Sequence, residues 1–400
     1  MTRRRRSVSP MGWRTLAAGL AMGLVILPAA TKGQNRFSPG KESVLYSFAG
    51  GSDGAEPVAS LIWDAHHKYL YGTTAGGGAP GFGTVFKINT AGKETVVYTF
   101  QAGQDGAEPV ASLISDDQGN LYGTTAGGGS PGLGVVFKLS RNGKETILYT
   151  FAGGNDGAEP TAALIWDAKK ENLYGTTLGG GPDGLGTVFK LSKTGKETVL
   201  YSFVGGNDGA GPAASLIWDA RHEYLYGTTT GGGAPGYGAV FKINTAGKES
   251  ILYTFQAGQD GAEPVAPLLS DDQGNLYGTT AGGGTPGLGV VFQLTKSGKE
   301  SVLYTFEGGA DGAEPTANLI WDQKQQYLYS TTAGGGTLGL GTVFKLSKKG
   351  KETALYSFSN TGGDGQEPKG GLVWDANRNL YGTTAGGGAA GLGAIFKVTP

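Results

Sequence analysis

KETVVYTFQAGQDGAEPVASLISDDQGNLYGTTAGGGSPGLGVVFKLSRNG, residues 93–143, is one period of a pattern that fills the chain from Lys41 onward. Near-copies begin at Lys41, Lys144, Lys196, Lys248, Lys299 and Lys351, at a spacing of 51 or 52 residues. Each copy holds four short runs rich in aromatic and β-branched residues. In the first copy they are residues 43–48 (SVLYSF), 59–63 (ASLIW), 69–74 (YLYGTT) and 84–88 (TVFKI). Period-two alternation punctuated by Gly, Asp-Gly and Asn is a strand signal, and no segment beyond Lys41 carries a helical apolar stripe.

Four antiparallel strands recurring at a period near fifty make the blade of a β-propeller. The phase of the repeat predicts how the ring closes. With the P-x-A-x-L-I-W-D run innermost in each blade, the chain opens on an outermost strand and ends on an inner three. Residues 43–48 then complete the blade begun by residues 371–374, which removes a free sheet edge. The expected fold is all-β: a seven-bladed propeller, residues 41–400, with four antiparallel strands per blade. The rival fold, a parallel β-solenoid, needs capped ends, and none is visible.

The copies are not equivalent. Copy one matches four, two matches five and three matches six, each pair 155 residues apart, as from Asp53 to Asp208. A three-blade block has been duplicated. The seventh copy stands apart, with Asn360-Thr361 and Lys369-Gly370-Gly371.

The run LYGTTAGGG-x-x-G-x-G-T-V-F-K-L, as at residues 121–139, resembles the bacterial GloVer tandem-repeat family. The likeness extends over nearly all of the repeat region. It implies an exported repeat protein and supplies no catalytic residues; no sorting segment follows Pro400, unlike the anchored members. The order P-x-A-x-L-x-W-D…N-L-Y-G is also similar to the NHL-type blade.

Ahead of the repeats, Arg3 to Arg6 precede an apolar run, LAAGLAMGLVIL at residues 16–27, and then Pro28-Ala29-Ala30. This is the order of a secretory signal peptide, residues 1–33, cleaved between 30 and 34, and the run is short for a bilayer span. The chain is therefore expected in the periplasm, at the cell surface or outside the cell, with no transmembrane segment once processed. Setting aside Arg3–Arg6 and Arg14 leaves 27 basic against 33 acidic residues. An anionic body without a basic stripe argues against nucleic acid as partner. The absence of cysteine excludes disulfides, thiolate metal sites and cysteine nucleophiles.

Strands alternate in direction, so the G-G-G-x-P-G-x-G loop and the blade-to-blade G-x-D-G-A-E-P loop open on one face. That predicts a rim of thirteen carboxylates: Asp53, Asp105, Asp156, Asp208, Asp260, Asp311 and Asp364 with Glu56, Glu108, Glu159, Glu263, Glu314 and Glu367, Gly211 replacing the glutamate of copy four. Asp-Gly is also a turn former, because aspartate bonds its own backbone and glycine tolerates positive φ. A Ca2+ site is the second use of such carboxylates. Phe82 and Tyr237 stand on the same rim where other copies have Leu, as candidates for ligand stacking. Trp63, Trp166, Trp218, Trp321 and Trp374 recur at one inner-strand position and are expected to pack between blades. Ser115 and Ser270 take that place in copies two and five.

Catalytic patterns are sparse. His66, His67 and His222 lack a third ligand type for zinc. The Thr-Thr pairs have no adjacent base, and near-identical blades do not give two carboxylates the unlike environments of an acid–base pair. The leading expectation is an exported binding or scaffold propeller for a glycan or an envelope or extracellular protein. The alternatives are a lyase or glycoside-active enzyme at the central channel, with Lys369 beside it, and a purely structural surface repeat.

Overall fold

A computed structural model describes residues 41–359 and 361–400. The expected leader, residues 1–33, and Asn360 lie outside the described residues. Among the described residues every regular element is a strand. Blade one shows the pattern. Ile62–Trp63 pairs with Tyr69–Thr74, which pairs with Thr84–Asn89, which pairs with Glu94–Thr99, all antiparallel. Six further four-stranded sheets repeat this order, giving seven blades.

The last blade is built from both ends of the chain. Val373–Trp374, Leu380–Thr384 and Ala394–Thr399 supply its inner three strands. Lys41–Ser47 is the outermost, from Lys41 opposite Thr399 to Ser47 opposite Ala394. The Phe48 amide then donates to the Gly393 carbonyl at 3.0 Å. The ring thus closes by strand pairing, leaving the third strand of that blade with no open edge.

The innermost strands are shorter than the sequence suggests. Only two residues of each ladder regularly, Ile62 and Trp63 in blade one. Pro57 lacks an amide hydrogen, and residues 58–60 line the channel, where the Ser60 amide donates to Ser112 Oγ of the next blade at 3.0 Å. Thr73 Oγ1 in blade one donates to the Ala111 carbonyl of blade two at 3.1 Å, and Thr383 in blade seven to the Ala59 carbonyl of blade one at 2.9 Å. The first threonine of the pair therefore ties its blade to the next, except Thr279, whose hydroxyl is buried without a partner.

The core lies between blades, not within them. Phe48, Tyr381 and Ile395 of blade seven meet Leu61, Leu70, Phe86 and Ile88 of blade one in one buried cluster. Phe48 and Phe86 sit edge to face at 5.2 Å, and the same pairing recurs around the ring to Phe358 and Phe396 at 5.0 Å. Each such phenylalanine is wholly buried, worth about 2–3 kcal/mol relative to exposure. The tryptophans serve the same junctions. Trp63 Nε1 donates across a blade boundary to the Trp374 carbonyl at 2.8 Å, and Trp218 to the Trp166 carbonyl at 2.7 Å.

Candidate functional site

The two glycine-rich loops of each blade lock onto one another and form one face of the ring. Gly106–Ala107 of the acidic loop pairs with Gly127–Gly128 of the G-G-G loop. Gly128 has φ +76°, and a side chain on it would collide with the Gly106 and Ala107 backbone. Much of the glycine richness is therefore spent on loop-to-loop contact rather than on an open cradle.

The thirteen predicted carboxylates all stand on this face but divide into two kinds. Each aspartate is half-buried or buried and turned back on its own loop. Asp105 Oδ2 accepts from the Tyr98 hydroxyl at 3.0 Å and the Gln101 amide at 2.8 Å, while Oδ1 accepts from the Gly106 amide at 2.7 Å. Asp53, Asp156, Asp208, Asp260, Asp311 and Asp364 make the same tyrosine contact, with Tyr46, Tyr149, Tyr201, Tyr253, Tyr304 and Tyr356. These aspartates hold the loop in shape.

The glutamates do the opposite. Glu56, Glu108, Glu159, Glu263, Glu314 and Glu367 are exposed, and each adopts left-handed backbone with φ between 53° and 58°. Gly211 occupies the same conformation at 64° in blade four. The position is fixed by its main chain: the Glu108 amide donates to the Phe82 carbonyl at 3.0 Å, and its carbonyl accepts from the Ala126 amide at 3.0 Å. The backbone thus bridges two loops while the carboxylate points to solvent. Lys369 is the one basic residue among the described residues of this face, and it pairs with Glu367 at 3.3 Å.

Phe82 and Tyr237 are 37% and 42% exposed on the same face. Their leucine counterparts tuck against a glycine of the next acidic loop, Leu133 against Gly153 and Leu185 against Gly205. After Phe82 and Tyr237 that next loop carries Ala102 and Ala257, whose methyl groups fill the slot. The aromatic rings are left outside it. Phe82 and Glu108 together line a shallow groove of about 670 Å3 with Gln104 and Pro131. The sequence signal was the Q-A-G of copies two and five, which follows each aromatic residue.

These donors do not fit a Ca2+ ion, which takes six to eight oxygens. Oδ2 of each aspartate is taken up by its own loop's tyrosine, and no three acidic or histidine side chains converge among the described residues. The channel is lined mostly by small residues, with Asn318 and Lys369 among them, around a space of about 120 Å3. Ser60 Oγ donates to Asn318 Oδ1 at 2.9 Å and accepts from the Gly371 amide at 2.8 Å. Gly371 leaves the room that Asn318 fills, so the break in the seventh copy accommodates a plug.

Sequence reasoning passed over a second acidic set. Glu42, Glu94, Glu145, Glu197, Glu249, Glu300 and Glu352 open the outermost strands, and each keeps one carboxyl oxygen buried without a hydrogen-bond partner. Burial first, and then the charge of Asp53, raises the Glu94 carboxyl from 4.5 to about 7. Glu145, Glu197, Glu249 and Glu300 behave alike beside Asp105, Asp156, Asp208 and Asp260. Glu352, beside Asp311, rises to about 8, and Glu42, beside Asp364, to about 7. The signal was a glutamate four residues before the tyrosine that grips the rim aspartate.

With this geometry in place, the chain can be set beside known proteins. The Gloeobacter/Verrucomicrobia repeat matches residues 34–222, 148–328 and 301–400. The chain belongs to the Gloeobacter/Verrucomicrobia repeat family. No curated protein matches it. Among solved structures, this repeat protein is similar to the extracellular domain of BT4673 from B. thetaiotaomicron, with 13% identity and a TM-score of 0.60, over 91% of this chain and 42% of that one. It therefore spans less than half the length of that chain. A protein assigned as a 6-phosphogluconolactonase from Bacteroides uniformis is similar at 14% identity and a TM-score of 0.50, over 78% of this chain and 87% of that one. At such identities the likeness shows the propeller fold. No helix among the described residues is long and apolar enough to cross a membrane.

Proposed function

We propose that this repeat protein is an exported binding propeller that engages an extracellular or envelope partner through the glutamate-bearing loop face. The observation that carries the reading is the left-handed glutamate. A non-glycine residue held there costs on the order of 1 kcal/mol, and Gly211 proves that glycine satisfies the same backbone. Six blades nonetheless carry a glutamate, and of their side chains only that of Glu367 has a partner among the described residues, Lys369. Strain kept in the presence of an unstrained alternative points to use of the side chain. Phe82 and Tyr237, displaced outward beside Glu108 and Glu263, add apolar area at two places about half a ring apart. Weak contacts at repeated positions sum when one extended partner spans several of them.

The partner suited to such a rim carries amino or guanidinium groups together with apolar faces, as amino-sugar polymers and basic segments of envelope proteins do. Binding is read on an array of amino-sugar glycans and basic peptides, with the protein and a variant carrying Glu→Gln at all six positions. The rim reading requires the protein to retain a cationic probe and the variant to lose it. Equal retention by both proteins, or retention of none of the cationic probes, defeats it.

A further inference from the structure

We infer that the cleft between blades six and seven, on the face opposite the glutamate rim, is a binding site for an acidic sugar. On that face, each turn from inner to second strand places a left-handed residue three positions after its aspartate: His67, Lys170, His222, Gln325 and Arg378 in the five tryptophan-bearing blades. In four of these blades the neighbourhood of the indole is filled. His67 lies over Trp63 at 5.6 Å and His222 over Trp218 at 5.5 Å. Lys193 lies over Trp166 at 5.3 Å and Lys348 over Trp321 at 4.7 Å. In blades three and six the turn residue also bonds back to the preceding blade, Lys170 to Asp117 and Gln325 to Asp272, the latter at 3.2 Å.

Blade seven breaks this pattern. Trp374 meets the edge of Tyr329 at 4.8 Å, and among the described residues no cation or second ring covers its other side. The reason is legible in the chain. Asp117 and Asp272 each directly follow the turn aspartate of their blade, and blade six has Gln323 in that place. Arg378 therefore finds no carboxylate where Lys170 finds one. A cavity of about 400 Å3 remains, walled by Trp374, Tyr329, Lys324, Lys345 and Arg378, with Pro400 as its other apolar residue. This is the size of a small-molecule site.

Three cationic side chains, Lys324, Lys345 and Arg378, stand against two carboxylates, Asp322 and Asp375, in the cleft. Both acids accept hydrogen bonds within their own turns, Asp322 through one oxygen. Asp322 Oδ1 accepts from the Gln326 and Tyr327 amides at 2.6 and 3.1 Å. Asp375 accepts from the Asn377 and Asn379 amides at 2.8 Å, from the Asn379 side chain at 2.7 Å and from the Tyr381 hydroxyl at 3.1 Å. Lys345 packs over Tyr327 at 4.3 Å, which leaves exposed Lys324 and Arg378 to meet an anion. A half-buried indole suits the apolar face of a pyranose ring, and a planar guanidinium beside it suits a carboxylate, which it can grip with two hydrogen bonds. A uronic-acid ring has both.

The site is tested by calorimetry on the protein with tri-galacturonate and, as a neutral probe of like size, maltotriose. The acidic trimer binds at least about tenfold more tightly than the neutral one. Trp374→Ser abolishes that preference; Ser115 and Ser270 hold the equivalent position in this fold, so the variant is built to remain folded, which its melting curve verifies. Arg378→Gln, which copies Gln325, weakens the acidic trimer about tenfold. Trp218→Ser and the six Glu→Gln changes on the opposite rim leave binding unaltered, which separates this site from the proposed rim. No binding of tri-galacturonate, equal binding of both trimers, or binding that survives Trp374→Ser overturns the inference.

Discussion

The seven half-buried glutamates between blades make thermal stability depend on pH in an unusual direction. A carboxyl raised from 4.5 to about 7 binds its proton more tightly folded than unfolded, so acidification toward 4.5 favours the fold. The contribution is complete below the unfolded value and is lost as pH climbs through the folded one. Each pH unit of such a difference is worth about 1.4 kcal/mol, or about 3 kcal/mol for a fully shielded group. These side chains are half-buried, and solvent screening reduces that to about 1 kcal/mol each. Over the ring this is about 7 kcal/mol, or about 9 °C at ~2 cal/mol/K per residue of unfolding entropy. A limit stands on the acid side. Burial works to raise Asp116, Asp167, Asp271 and Asp375, yet asparagine side chains and backbone amides hold them below the usual range. That stability is lost as pH falls through their lowered values. Scanning calorimetry across pH 3 to 9 is therefore expected to place the melting maximum at about pH 4, with a fall toward pH 8. Glu94→Gln and Glu249→Gln should each raise melting at high pH and leave it unchanged at the maximum, because glutamine mimics the protonated acid. A melting temperature that is level or rising between pH 5 and 8, or glutamine variants that lower it at pH 8, would refute the linkage.

Other consequences follow from the same geometry. Glu108→Gly relieves left-handed strain and is expected to hold or raise stability by up to about 1 kcal/mol, read by denaturant melts; a loss of more than that would show the carboxylate has a folding role. Phe82→Leu with Ala102→Gly should restore the buried leucine of the other blades, with a favourable coupling near 1 kcal/mol in a double-mutant cycle; purely additive effects would contradict the slot argument. Gly371→Ala, which presses a methyl group onto Asn318, should cost about 1–3 kcal/mol and be rescued by Asn318→Ala, as Ala163 stands in the matching copy. Deleting Lys41–Ser47 should expose the edge of Ala394–Thr399 and drive association visible by size exclusion; a monomer melting as before would sink the closure.

What was legible in the sequence was whatever repeats. Seven copies of one alternating pattern, read in the right phase, give the blade count, the strand order and the pairing of Lys41–Ser47 with Ala394–Thr399. Loop direction also follows, since it depends only on alternation. The two kinds of rim carboxylate were not separable by pattern. Asp105 and Glu108 are three residues apart in every copy that has both, and only φ and the Tyr98 contact reveal that one builds the loop and the other faces solvent. The buried glutamates were missed for a similar reason. Glu94 begins a strand beside Lys93 and Thr95, where a solvated face is the ordinary expectation, and the Asp53 whose charge acts on it lies in the preceding copy.

The departures from repetition carry the functional information, because identical blades can offer only identical chemistry. Ala102 pushes Phe82 outward and Ala257 does the same for Tyr237, so the duplicated block places two aromatic contacts on one face. On the other face, Gln323 in place of an acid leaves Arg378 without the partner that Lys170 has, and an indole without a cover. Neither difference alters a strand or a turn, since Gln325 and Arg378 share one left-handed conformation. Substitutions the fold does not feel are free to serve binding, and in this ring they cluster at blade boundaries, where one side chain decides whether the next is buried or presented. The Ala102–Phe82 and Gln323–Arg378 pairs are both of this kind. Each joins residues of adjacent blades, so the pair and not the single residue is the unit in which this propeller varies its surface.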